Sequence, residues 1–232
     1  SLSSATLNSL TSTQLQAIST RNIAALTTAQ ITGLSQKALN VVVAVFTPDR
    51  IFSLATNQIS TLTSSTLNAL GNSQFEAINS RNIAALTTAQ ITGLSIRKLT
   101  NLTTTQIAAL ETQDVIALTS TQLRTLSSTQ VQALTSIQTA NLTTQALNAL
   151  IGNFATDRIS ALGSSQLVAL ASETLNSLST AQLQALSTRS ISALTTAQIA
   201  ALSSKQLVNL TGSQIAALES QDLAALSSTQ LR

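Results

Sequence analysis

The chain has 232 residues, of which 44% are hydrophobic and 8% charged, and its formal net charge is +3. It lacks Cys, His, Met, Trp and Tyr altogether, which removes disulfide frameworks, zinc sites and the His- and Cys-based chemistry of most acid–base and nucleophilic enzymes. A pI near 10.2 reflects a small surplus of base over few charges; it is not the dense basic stripe that nucleic acid requires, and no apolar run approaches the roughly 18 residues of a membrane span.

From Ser3 onward the chain is an eight-residue pattern written repeatedly: over 3–42, over 47–150 and over 155–226, with a stub after Leu226. Thr195-Thr196-Ala197-Gln198-Ile199-Ala200-Ala201-Leu202 shows it plainly. Position 1 is usually Ser or Thr, position 4 most often Gln, positions 5 and 8 apolar, and position 7 usually Ala, Gly or Ser. Thr139 interrupts position 5, with Ile137 nearby to compensate.

Ser or Thr followed three residues later by Gln, just ahead of an apolar residue, is the capping box of a helix start. Pro48 tests the register, because it falls at position 2, the first helical residue, where its missing N–H is harmless. Asp49 and Asp157 at position 3, and Glu111 and Glu219 at position 1, put negative charge at the positive end of a helix dipole. Eight residues make about 2.2 turns, so in one continuous helix the apolar stripe would rotate by about 80° per octad and face nowhere. The octads therefore predict one short helix each, a bend at every Ser or Thr, and a tight superhelix with positions 5 and 8 inside. Small residues at position 7 are expected to let neighbouring coils approach.

Two four-residue insertions, 43–46 and 151–154, break the phase. Leu39, Val42, Val43 and Phe46 keep the i, i+3, i+4, i+7 spacing of one helix face, as do Leu147, Leu150, Ile151 and Phe154. Both are expected to extend a helix by about one turn. Residues 35–124 recur as 143–232, and Leu2 to Leu34 resembles 62–94 and 170–202, so blocks were duplicated as well as single units. No linker or change of composition appears, and 1–232 reads as a single elongated all-α solenoid. The mid-octad stop at Arg232 suggests a piece of a longer array. The competing fold is a β-solenoid, favoured by Thr and Ile, but the capping boxes, Pro48 and scarce turn residues speak against it.

Basic residues recur at position 3 in pairs two octads apart: Arg21 and Lys37, Arg81 and Arg97, Arg189 and Lys205. They form a candidate interaction row for an acidic glycan or a neighbouring chain; the plainer reading is solvated charge copied by duplication. Rows of Ser and Thr invite an ice- or carbohydrate-binding role, although helix capping accounts for them. Glu111 with Asp114, and Glu219 with Asp222, give too few carboxylates for Ca²⁺ and read as capping-box variants. No catalytic constellation, phosphate loop, metal site or cofactor is expected.

The repeats Thr87-Thr88-Ala89-Gln90-Ile91, Thr103 to Leu110 and Ser127 to Leu134 resemble the octapeptide arrays of large bacterial secreted and surface proteins of adhesin- or haemagglutinin-like type. That resemblance implies an extracellular or cell-surface structural context and carries no activity. The expected function is a non-enzymatic structural array: a stalk, a matrix component or a self-assembling filament subunit. The alternative is a binding solenoid for a glycan, a peptide or an ice surface. The expected partners are further copies of the chain or glycans.

Overall fold

The computed structural model describes residues 3–231, and among them the regular elements are all helical, with no strand. Twenty-seven α-helices run through these described residues, from Ser4–Ser9 to Ser220–Ala224. The shortest is Thr56–Ile59, of 4 residues, and among the longest is Gln36–Val42, of 7. The fold is an all-α repeat solenoid.

The octad 195–202 shows how each unit is made. Thr195 is extended, with φ −70° and ψ 151°, and Thr196–Ala200 is helical. The Thr195 hydroxyl accepts from the Gln198 N–H at 3.2 Å, and the Gln198 carbonyl Oε1 accepts from the Thr195 N–H at 2.9 Å. At the other end Ala201 stays right-handed, with φ −85° and ψ −9°. Among the described residues no φ is positive, glycines included. The bend is thus a step from right-handed to extended backbone, open to any L-residue, and this is why the chain manages with only 6 Gly. Pro48 is the first residue of Pro48–Phe52, as its register requires.

The chain packs as two compact units, Ser1–Leu118 and Thr119–Arg232. Within each, helices three octads apart pack together, such as Ser80–Ala84 with Thr104–Ala109, and Thr156–Ser160 with Thr180–Ala185. Away from the insertions, hydrogen bonds between coils connect residues 25 to 31 apart. A coil is therefore about 28 residues, or three and a half octads.

Positions 5 and 8 fill the interior of each unit, from Leu15 and Ile23 to Ile199 and Leu202. A helix of five residues has no stability of its own in water. Its formation rests on burying about two large side chains per octad, each contributing roughly 1.5–3 kcal/mol. Thr139 occupies its interior position, and its hydroxyl donates to the Thr135 carbonyl at 2.9 Å. Ile137 does not compensate for it: that side chain is 70% exposed. Two residues along a helix is about 200° of rotation, which turns Ile137 to the outside.

The insertions prolong their helices, but in a tighter form. Gln36–Val42 runs into a 3₁₀ turn, Val43–Val45, and Thr144–Leu150 into Ile151–Asn153. All eight side chains of the two expected apolar faces are buried. Across an insertion the same link between coils spans fewer residues: Gln58 reaches Ile31 over 27, where Gln90 reaches Ile59 over 31. A twelve-residue unit thus takes the place of two octads.

Candidate functional site

The chemistry of this molecule lies between its coils, and it begins with the Gln at position 4. Its Oε1 closes the capping box of its own helix, while its Nε2 points back to the coil before. There it meets the carbonyls at the C-terminal end of an earlier helix, groups that a helix cannot satisfy internally. Gln106 accepts from the Thr103 N–H at 2.9 Å and donates to the carbonyls of Phe75, Glu76 and Ile78 at 3.1, 3.2 and 2.8 Å. Gln198 donates likewise to Leu167, Val168 and Leu170 at 3.0, 3.2 and 2.9 Å. Gln90, Gln182 and Gln214 repeat the arrangement. One amide thus satisfies the start of one helix and the end of another.

A second set of amides reaches forward. Asn68 at position 6 donates to the Gly93 carbonyl at 2.9 Å and accepts from the Ser95 N–H at 2.8 Å, bridging the bend in the following coil. Asn8 and Asn176 make the same pair of bonds, to Gly33 and Ser35 and to Ala201 and Ser203. Close approach at position 7 is also real: a Cβ on Gly93 would lie 2.7 Å from the Ser64 Cβ, and one on Gly33 would lie 2.8 Å from the Ser4 Cβ.

Where position 4 is not Gln, another donor often takes over. Asn82 donates to the Leu54 carbonyl at 2.7 Å. The Arg50 guanidinium reaches the Leu26 carbonyl, and the Lys98 ammonium the Leu70 carbonyl. Lys98 is buried, with Nζ 5.2 Å from the centre of the Phe75 ring. Burial, and then the neighbouring charge of Arg97, lower its pKa below the ordinary lysine value. Asp114 and Asp222 are the acidic occupants of the position. An ionised carboxylate cannot donate, so each instead accepts from a hydroxyl of the coil before, Thr88 at 2.8 Å and Thr196 at 2.9 Å. Asp222 also accepts from the Glu219 N–H at 3.1 Å, keeping half of a capping box. Asp114 is fully buried, and among the described residues its Oδ2 has no partner. Its pKa is raised, chiefly by burial and further by Glu111, against the opposing pull of the Thr88 hydrogen bond.

The six basic residues at position 3, Arg21, Lys37, Arg81, Arg97, Arg189 and Lys205, are all exposed. The structure does not bring the members of each pair together. Sixteen residues is more than half of a 28-residue coil, so Arg81 and Arg97 lie on different sides of it, as do the other two pairs. Arg81 and Lys205 each border a shallow notch between coils. One notch, of about 280 Å³, is lined by Leu54, Ala55, Thr56, Asn79 and Asn82; the other, of about 260 Å³, by Leu178, Ser179, Thr180, Ser203 and Gln206. Among the described residues no three His, Cys, Asp or Glu side chains gather as metal ligands. None of the described helices is long and apolar enough to cross a membrane.

Sequence reasoning assigned position 4 only half of its role and overlooked Asn at position 6. A signal for the first was present. Glu closes a capping box as well as Gln and suits a helix N-terminus better, yet no octad places Glu at position 4. A consistent choice of the neutral amide points to a use for its N–H₂ group.

Two stretches, 107–144 and 175–212, match the family model of the ALTTAQ repeat. A search of curated proteins finds no match to the chain. This is a repeat protein, and its coils are laced together by the amides that the repeat specifies.

Proposed function

We propose that the chain is a non-enzymatic structural array, serving as a stalk, matrix component or self-assembling filament subunit of a bacterial secreted or surface protein. One observation carries the reading: the polar side chain that recurs most regularly, Gln at position 4, is used up in joining coil to coil. Each coil presents to the next the same apolar positions and the same carbonyls, so length is added by one rule. The ALTTAQ match supports the repeat character, and the surface context rests on the resemblance of the octads to secreted arrays. Immunogold labelling of intact cells with antibody to this segment tests it. Gold on the outer surface is the expected result; labelling only after the cells are opened would refute the surface role.

The second reading is a binding solenoid, favoured by the notches beside Arg81 and Lys205. Because Arg81 and Arg97 lie on different sides of the coil, Arg81→Glu and Arg97→Glu should act independently on binding to an anionic glycan. Unchanged binding in both variants would remove this reading.

A further inference from the structure

In the middle of the first unit, a regular series of links between coils is interrupted at one place. The position 8 carbonyls of Leu54, Leu62, Leu70 and Ile78 receive side-chain donors from Asn82, Gln90, Lys98 and Gln106 in turn. Leu86 is next in the series, and the residue at the matching place in the following coil is Asp114. Among the described residues neither the Leu86 carbonyl nor the nearby Ala84 carbonyl accepts a hydrogen bond.

The Asp114 carboxylate is pinned against this same bend. The hydroxyl of Thr88, two residues past Leu86, donates to its Oδ1 at 2.8 Å. The other oxygen, Oδ2, has no partner, and the residue is 0% exposed. Asn82, a side chain of the same shape in the same register, reaches the Leu54 carbonyl at 2.7 Å, so Oδ2 is set opposite Leu86. Oxygen meets oxygen here, and among the described residues no Lys or Arg pairs with Asp114. Asp222 differs, because the Thr196 hydroxyl and the Glu219 N–H hold one of its oxygens each. A second carboxylate lies close by. Glu111 precedes the helix Thr112–Ala117 without capping it through its side chain, and its charge helps to raise the pKa of Asp114.

We propose that this junction binds one divalent cation of the calcium class, held by Asp114 Oδ2, the carbonyls of Ala84 and Leu86, and Glu111, with water completing the shell. Ca²⁺ takes six to eight oxygens in irregular geometry and accepts carbonyls readily, whereas Mg²⁺ demands a near-ideal octahedron. Two carboxylates alone fall short of such a shell, but they balance its charge, and the carbonyls of the coil before supply neutral ligands. The neighbouring junction shows where the ion would sit. There the Gln106 Nε2 lies 2.8–3.2 Å from three carbonyls. Asp is one methylene shorter than Gln, so the place taken by that nitrogen is left to the cation. The ion would then join coil to coil as the amide does elsewhere. This inference is independent of the surface role and of the reading as a stalk.

Equilibrium dialysis of the EDTA-treated chain against ⁴⁵Ca²⁺ tests it. One site per chain is expected, with a Kd of about 10⁻⁴–10⁻³ M, the range of weak sites with few charged ligands. Asp114→Asn should abolish the site and keep the fold by circular dichroism, since Asn82 shows that an amide fits the position. Glu111→Gln should weaken binding roughly tenfold, and Asp222→Asn should leave it unchanged. A tenfold excess of calcium over Kd should raise the wild-type thermal midpoint by about 3–6 °C and leave that of Asp114→Asn where it was. No bound calcium at about 10 mM, well above the expected Kd, would overturn the proposal and leave a proton on Asp114 as the link to Leu86. Binding that survives Asp114→Asn, ignores Glu111→Gln or is lost in Asp222→Asn would overturn it equally.

Discussion

Replacing Gln106 by Glu isolates the backward-reaching half of the amide. The carboxylate can still accept from the Thr103 N–H, now 2.9 Å from Oε1, and a negative charge near a helix N-terminus is itself favourable by about 0.3–1 kcal/mol. What disappears is the donor to Phe75, Glu76 and Ile78, at 2.8–3.2 Å in a buried setting. Buried carbonyls left without a donor cost about 1–3 kcal/mol, and an ionised oxygen set against them adds to that. The expected loss is about 3 kcal/mol at pH 7. Lowering the pH protonates the new carboxyl, which regains an O–H to donate, so the loss should shrink to about 1 kcal/mol at low pH. With no Trp in the chain, urea unfolding followed by far-UV circular dichroism is the assay. Gln132→Glu, at an exposed position, serves as the control and should shift stability by no more than about 0.5 kcal/mol. A loss below about 1 kcal/mol at pH 7, or one indifferent to pH, would refute the lacing role assigned to position 4.

Three further substitutions probe the packing and the buried acid. Gly93→Ala drives a Cβ to within 2.7 Å of the Ser64 Cβ and should cost about 1–3 kcal/mol; Gly152→Ala, with nothing within 4 Å, should instead stabilise by about 0.5 kcal/mol, and thermal melts compare the two. Thr139→Val removes a buried hydroxyl that satisfies itself only within its own helix, and should raise the urea midpoint by the equivalent of about 1 kcal/mol. Asp114→Asn supplies a donor where Asn82 already shows that the side chain can reach a carbonyl, and should stabilise by about 1–3 kcal/mol at pH 7. Below the ordinary carboxyl value of 3.8, Asp114 is protonated in folded and unfolded chains alike. As pH rises the unfolded chain ionises first, so the wild type loses stability until the folded group ionises too. The advantage of Asp114→Asn should therefore grow with rising pH; a constant difference from pH 3 to pH 8 would count against the raised pKa.

Much of the architecture was legible because single residues overdetermine it. Pro48 at the first helical position, Gln198 three residues after Thr195, and Leu202 ending the unit all point to a short capped helix, and the backbone obeys. The coil length was not legible. It depends on the angle of each bend, which is set by how side chains pack across coils and not by any residue within the octad. Without it, pairs such as Arg81 and Arg97 look like neighbours in a row, whereas the 28-residue coil turns them to different sides. The role of Asn68 was hidden for the same reason, because its partners, Gly93 and Ser95, lie a coil away. Ile137 was misjudged because nearness in sequence was taken for a shared helix face.

A coil of three and a half octads has a mechanical consequence. Within each unit the bends of one layer fall over the middles of helices in the next, as bricks overlap in a wall laid in running bond. Register returns only after seven octads, so no seam of weak joints runs lengthwise. A crack started at one bend therefore meets an intact helix in the next layer.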